Sequence, residues 1–277
     1  MIKKFERNDL NNLYKPANSS TKNENGLVTI IAGSKLFHGP PLVTIKVASR
    51  IVDMVFLSSP EPSIGRIAEN LKSQLSSFIW IPWEDTDHYI EKSDSLLIGP
   101  GFMRYGSEKD AHLQTDRHCD ETCMISREIT RRFLKKYYYK RWVIDGGSLQ
   151  VMDPEWIPSG AVLTPNLKEY KKLFSNLSPE SVSKKYDCTI VVKGPISHVY
   201  SPGEITEIRG GNPGLTKGAT GDVQAGLTCA LFAKNSGHLS ASAASYIIKS
   251  AAESLYHKVG VNYNADDLVN EIPQIMR

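Results

Sequence analysis

Short apolar runs alternate with amphipathic stretches along most of this chain. Leu27–Ala32, Met54–Leu57, Phe78–Ile81, Ser95–Ile98, Trp142–Ile144, Ala161–Leu163 and Thr189–Val192 are brief and almost wholly apolar, and predict strands buried on both faces. Between them lie segments with helical spacing. Val43, Val47 and Ile51 mark one within Pro41–Ile51, and Ile64–Leu75, Glu121–Lys136 and Leu167–Phe174 read the same way. After Thr189–Val192 the rhythm changes. His198–Tyr200 and Ile205–Ile208 flank Pro202-Gly203 and predict a hairpin. Three further helices follow, over Val223–Ala233, Ser240–Tyr256 and from about Asp266.

Strands alternating with helices predict an α/β protein with three layers, a mostly parallel sheet covered on both faces. In such sheets ligands bind at the carboxyl ends of the strands. Gly33, Gly99, Asp145, Asn166 and Lys193 each follow a predicted strand, so they are expected along one edge. There is no internal repeat and no linker, so residues 26–277 read as a single domain. Residues 1–25 are polar and read as a loosely attached arm or a first helix.

Composition narrows the function. Of 277 residues, 40% are hydrophobic and 23% charged, ordinary for a soluble globular protein, and the net charge of +3 is too small to argue for nucleic acid. No apolar run is long enough to span a bilayer. Met1-Ile2-Lys3-Lys4 leads into polar sequence, not a signal-peptide core. Four cysteines in a chain of this length fit a reducing compartment, and the expected location is the cytoplasm. His112, His118, Cys119 and Cys123 make a metal site conceivable, but paired Cys-x-x-Cys knuckles are lacking and the segment reads as a loop entering a helix. No direct protein ligand to a metal is assigned. Arg131, Arg132, Lys135, Lys136, Lys140 and Arg141 read as the exposed face and end of that helix.

The most informative segment is Gly210–Gly226. It is glycine-rich and polar as far as Asp222, then becomes a helix rich in alanine and leucine. A flexible loop feeding a helix N-terminus is an anion site, because free N–H groups and the positive dipole end point at one place. Asp222 falls in the first turn. A carboxylate beside a phosphate site is placed to take a proton from a hydroxyl being phosphorylated. The plainer alternative is that Asp222 is an N-terminal charge and the glycines a turn.

Five motifs in order resemble the NAD(P)H-hydrate dehydratases, a ribokinase-like family, from about Gly26 to the C-terminus. They are Gly33-Ser34 with His38-Gly39-Pro40-Pro41, Ile98-Gly99-Pro100-Gly101, Val143-Ile144-Asp145 with Ser148-Leu149, Leu163-Thr164-Pro165-Asn166 with Glu169, and Val192-Lys193-Gly194 with the terminal Gly-Asn-Pro-Gly and Thr-Gly-Asp elements. The resemblance implies a ribokinase-like fold and repair of a hydrated nicotinamide cofactor. ADP or ATP with Mg2+ phosphorylates the hydroxyl of NAD(P)H hydrate, and phosphate then leaves. It implies Asp222 as the general base and Thr220 and Gly221 at the transferring phosphates. Lys193, Gly194, Pro195, Ile196 and Ser197 would line the nucleotide, with Asn212 near the phosphates. Pro40, Gly101, Asn166 and Asp222 would contact the hydrate. Departures from the family pattern are Asn166 for histidine, Pro40 for alanine, Gly147 for an aspartate and Ala219 for glycine. Lys217 is an added charge, read either as a phosphate contact or as solvated.

Other readings of these residues stay open. Lys193 reads as a site residue or a solvated cap, Asn166 as a helix N-cap, a substrate contact or both, and Asp145 as a cap. The four tryptophans read as packing. A ribokinase-like kinase of a vitamin precursor would use the same anion site and base, and a non-catalytic nucleotide-binding protein would keep only the site. The resemblance also implies a homo-oligomer and an epimerase acting on the same substrate, for which residues 1–25 are too short.

Overall fold

The computed structural model describes residues 2–104 and 121–277. His112, His118 and Cys119 lie outside the described residues. One mixed sheet organises the chain. Its strands are β1 (Ile2–Lys4), β2 (Leu27–Ile31), β3 (Met54–Ser58), β4 (Ile79–Ile81), β5 (Ser95–Ile98), β6 (Arg141–Ile144), β7 (Val162–Leu163), β8 (Thr189–Val192), β9 (Ser197–Ser201) and β10 (Glu204–Ile208). They lie in the order β1-β10-β9-β8-β7-β6-β5-β2-β3-β4. Neighbours from β8 to β4 are parallel, β9 runs antiparallel to β8, and β10 turns back antiparallel to β9.

The strands read as wholly apolar because both faces are covered. Ser95–Ile98 illustrates the division. Leu97 joins Val28, Ile30, Val143, Val162 and Val191 under α1 (Gly39–Ala48), α2 (Pro62–Leu71), α8 (Thr220–Phe232), α9 (Gly237–Val259) and α10 (Ala265–Ile275). Leu96 and Ile98 join Ile31, Trp142, Ile144, Leu163 and Ile190 on the opposite face. That face is covered by α3 (Thr86–Lys92), α4 (Glu121–Lys136), α5 (Gly146–Val151), α6 (Leu167–Phe174) and α7 (Pro179–Tyr186).

α8 is buried from Val223 to Phe232 because it is enclosed by β5, β6, α1, α9 and α10. Gly226 makes the closest approach possible: a Cβ there would sit 2.7 Å from Val47 Cγ1 and 2.9 Å from Thr44 Cα. Helix α8 is thus fixed in the core.

Two local expectations need revision. The N-terminal segment contributes an edge strand and a 3-10 turn (Arg7–Asn12), not an α-helix: Ile2–Lys4 pair in parallel with Ile205–Glu207, and Phe5 and Leu13 are buried. Three residues with no apolar alternation carry no strand signal, since their pairing is made some 200 positions away. The basic run is also more engaged than a solvated face. Arg132 and Lys136 reach Asp87 on α3 at 2.5 Å, and Arg141 donates to the Phe232 carbonyl at 3.0 Å.

Candidate active site

The parallel order β8-β7-β6-β5-β2 sets the ends of five strands side by side. From these ends rise Lys193, Thr164 to Asn166, Asp145, Gly99 and Gly33, in that sequence along one edge. Asn166 and Lys193 form a parallel bridge beyond their strands, and the Gly33 N–H donates to Pro100 at 2.8 Å.

Backbone approach is closest where the glycines fall. Gly99 has φ +108°, and a Cβ there would lie 2.1 Å from the Asp145 carbonyl. Gly101 has φ +72°, with Phe37 O 3.0 Å and Gly33 Cα 3.3 Å from its Cβ position. The loops after β2 and β5 therefore interlock, and half-buried Pro40 follows three residues after Phe37, in the first turn of α1. Gly147 also has a steric cause. A Cβ at that position would sit 2.3 Å from the Phe102 carbonyl, so the β5 loop occupies the space a side chain would need.

Charge concentrates next to these loops. Asp145 is 3% exposed, and its Oδ1 accepts from Thr164 Oγ1 at 2.7 Å and from Lys193 Nζ at 3.0 Å. Lys193 Nζ in turn lies 3.4 Å from the Cβ position of Gly221, at the start of α8. Burial opposes the lysine's charge, but Asp145 and Glu169 outweigh it and hold the ammonium more basic than usual. Glu169 is pushed up by burial and by Asp145, while Lys193 counters. Asp222 is pushed up to about 7, first by burial and then by Asp145, with Lys193 opposing.

Of the anion loop, Thr220 is buried, with its hydroxyl donating to Leu215 O at 2.7 Å and Lys217 O at 2.8 Å. Ala219 is left-handed, φ +67°. Asn212 is committed inside the protein: Oδ1 accepts from Gly214 N and Tyr263 OH, and Nδ2 donates to Ala252 O. Lys217 Nζ donates to Val261 O at 2.5 Å and Tyr263 O at 2.7 Å, so it braces the loop from behind. Gly194, Pro195 and Ile196 form an exposed turn, closed by Ser197 Oγ donating to Gly194 O at 3.3 Å. Asn166 caps α6: its Oδ1 accepts from Lys168 N and Glu169 N, while Glu169 Oε2 accepts from Asn166 N at 2.9 Å.

The edge thus joins a helix N-terminus, a half-buried ammonium and a carboxylate pushed up to about 7. That set can hold an anion and accept a proton from a neighbouring hydroxyl. The family is decided by sequence: residues 28–274 match the model described as NAD(P)H-hydrate dehydratase. The chain belongs to the NAD(P)H-hydrate dehydratase family. It is 31% identical to the bifunctional NAD(P)H-hydrate repair enzyme Nnr of Methanocaldococcus jannaschii, over 97% of this chain and 52% of that protein. The chain therefore spans about half the length of that relative. With the ADP-dependent (S)-NAD(P)H-hydrate dehydratase of Nitrosopumilus maritimus it shares 29% identity, over 93% of this chain and 91% of that one. In fold it is similar to a ribokinase-like superfamily protein of Enterococcus faecalis, with TM-score 0.80, 19% identity and coverage of 99% and 95%. The ribokinase-like fold follows.

Within this NAD(P)H-hydrate dehydratase family member, the edge gathers Pro40, Gly101, Asn166, Lys193, Gly221 and Asp222. Asn212 and Thr220 serve the shape of the anion loop with their side chains. Sequence reasoning left out Asp145 as the partner of Lys193, Glu169 as a charge acting on the site, and Lys249. The first two were legible as polar residues after strands. Lys249 lies mid-helix in α9 and has no local signal; its Nζ donates to Gly194 O, Pro195 O and Gly210 O at 2.7–3.1 Å.

Proposed function

We propose that this chain dehydrates NAD(P)H hydrate at the expense of ADP or ATP. The observation that carries the proposal is Asp222. It stands half-buried at the start of α8, with its carboxyl pushed up to about 7, beside the Lys193 ammonium, in a chain of this family. Phosphate groups of the nucleotide lie at the N-terminus of α8, against the backbone of Thr220 and Gly221, and Lys193 supplies positive charge there. Lys193 to Ser197 line the nucleotide, and Asn212 shapes the loop beneath its phosphates. Pro40, Gly101 and Asn166 face the hydrate.

Asp222 takes the proton from the hydrate's hydroxyl as its oxygen attacks the terminal phosphoryl group, and the O–P bond to the nucleotide breaks. The ring nitrogen's lone pair then expels phosphate, the C–O bond breaks, and loss of a ring proton restores NAD(P)H. Phosphorylation is what makes the hydroxyl a leaving group, since phosphate spreads its charge over several oxygens. The nearby carboxylate Asp145 is already taken by Lys193 and Thr164. Magnesium therefore fits as a companion of the nucleotide's phosphates, where it would neutralise their charge when bound.

The test is absorbance in the reduced-nicotinamide band with NADH hydrate, magnesium and either nucleotide. Recovery that depends on ADP or ATP is expected and identifies the donor. Asp222→Asn lowers turnover about a thousandfold while nucleotide binding persists. Turnover near wild type in that variant removes Asp222 from the base role. Folded wild-type protein that restores no absorbance with either nucleotide overturns the proposal. We propose further that the chain acts in the cytoplasm as a homo-oligomer, alongside an epimerase activity for the same substrate. Sedimentation and co-assay with an epimerase test this. Among the described residues no helix is long and apolar enough to cross a membrane.

A further inference from the structure

Asp145 has no place in the chemistry above, yet it is among the most buried ionisable groups of the site edge. We infer that Asp145 is a positioning residue for the reaction: its buried carboxylate pins the half-buried Lys193 ammonium beneath Gly221, so that one ion pair sets both the anion site and the electrostatics of the base. The inference rests on the dehydratase reading for its kinetic consequence and on geometry alone for its electrostatic one.

The geometry leaves little freedom. Asp145 follows β6 and is 3% exposed; Lys193 follows β8; Thr164, after the intervening β7, donates to the same Oδ1 that accepts from Lys193. Three adjacent strand ends therefore fix one oxygen. The ammonium it holds lies 3.4 Å from the Cβ position of Gly221, in van der Waals range of the first turn of α8. A lysine without that partner would be free to follow its long stem toward solvent. With it, the charge stays at the helix N-terminus, where a phosphoryl group gains most from it.

The pair also acts on Asp222 with opposite signs, Asp145 raising its pKa and Lys193 lowering it, while Glu169 adds a smaller upward push. Several other cations on elements packed against α8 are engaged elsewhere. Lys46 meets Asp266, Lys217 and Lys249 hold carbonyls, and Arg141 reaches Phe232 at the far end of the helix.

The deciding measurement is the titration of the Asp222 carboxyl carbon by NMR in wild type, Asp145→Asn, Lys193→Met and Thr164→Val, joined to the pH dependence of kcat/KM. Asp145→Asn keeps an acceptor for Thr164 and removes the negative charge, so the Asp222 midpoint falls by about one pH unit. The acid limb of kcat/KM moves down with it, because the base is active once deprotonated. Lys193→Met moves both upward. Thr164→Val removes a hydrogen bond and no charge, and leaves both in place. In Asp145→Asn, kcat drops at least about tenfold at the pH optimum, since the ammonium is no longer held in place. A purely structural Asp145 would lower thermal stability and leave the Asp222 midpoint unmoved; that result overturns the inference. Shifts of the same sign in Asp145→Asn and Lys193→Met also overturn it. If the dehydratase reading fails, no variant has hydrate turnover, but the opposed NMR shifts remain.

Discussion

Ala219 is the residue at which the site is under most strain. It holds φ +67° one position before the α8 N-terminus, and it is one of four non-glycine residues with positive φ among those described. A Cβ in that region costs roughly 1–2 kcal/mol, part of which glycine would give back through the entropy of the unfolded chain. Ala219→Gly is therefore expected to raise stability by up to about 1 kcal/mol, read by thermal or urea unfolding. The departure from glycine was visible in the sequence. Its conformational cost was not, because nothing local distinguishes an alanine in a left-handed turn from one in a helix. Asn166 is the contrary case. Glu169 three residues on announced the capping box, and both halves of the box are present. Asp145 stands between the two. Its position after a strand was plain, whereas its partner depended on two other strands arriving in register.

Among elements, α8 shows why composition alone misjudges a helix. Its small residues leave room for close packing, and Gly226 lets α1 and α8 approach to contact. Gly226→Ala forces a methyl against Val47 and the Thr44 backbone, and is expected to cost about 1–3 kcal/mol. That corresponds to a fall of roughly 2–4 °C in Tm per kcal/mol for a chain of this size, measured by calorimetry. Because α8 carries Thr220 to Asp222 at its end, activity should fall with the displacement of that end, ahead of global unfolding. Elements with several apolar residues at one period were legible within a few positions: β5, β8 and α4 fall where the pattern puts them. The short helices α3, α5 and α7 have 6–8 residues and too few turns to impose a period, and they follow from packing against the sheet.

For the whole molecule, the sequence carried the alternation of layers and the edge on which the site stands, because buried parallel strands leave polar residues nowhere else to go. It did not carry the strand order, which is made by contacts far apart in the chain, nor the closure of the sheet by β1. The same holds for the clamp at Lys249, whose pKa is lowered by burial. This one ammonium joins both feet of the β9–β10 hairpin, the turn at Gly194–Pro195 and the strand exit at Gly210, while Lys217 and Asn212 fasten the loop that follows. A loop tied down in this way does not wait for its ligand to order it. In stopped-flow experiments the observed rate of nucleotide capture should rise in direct proportion to concentration, without the plateau that a slow ordering step would impose, and Lys249→Met should introduce that plateau.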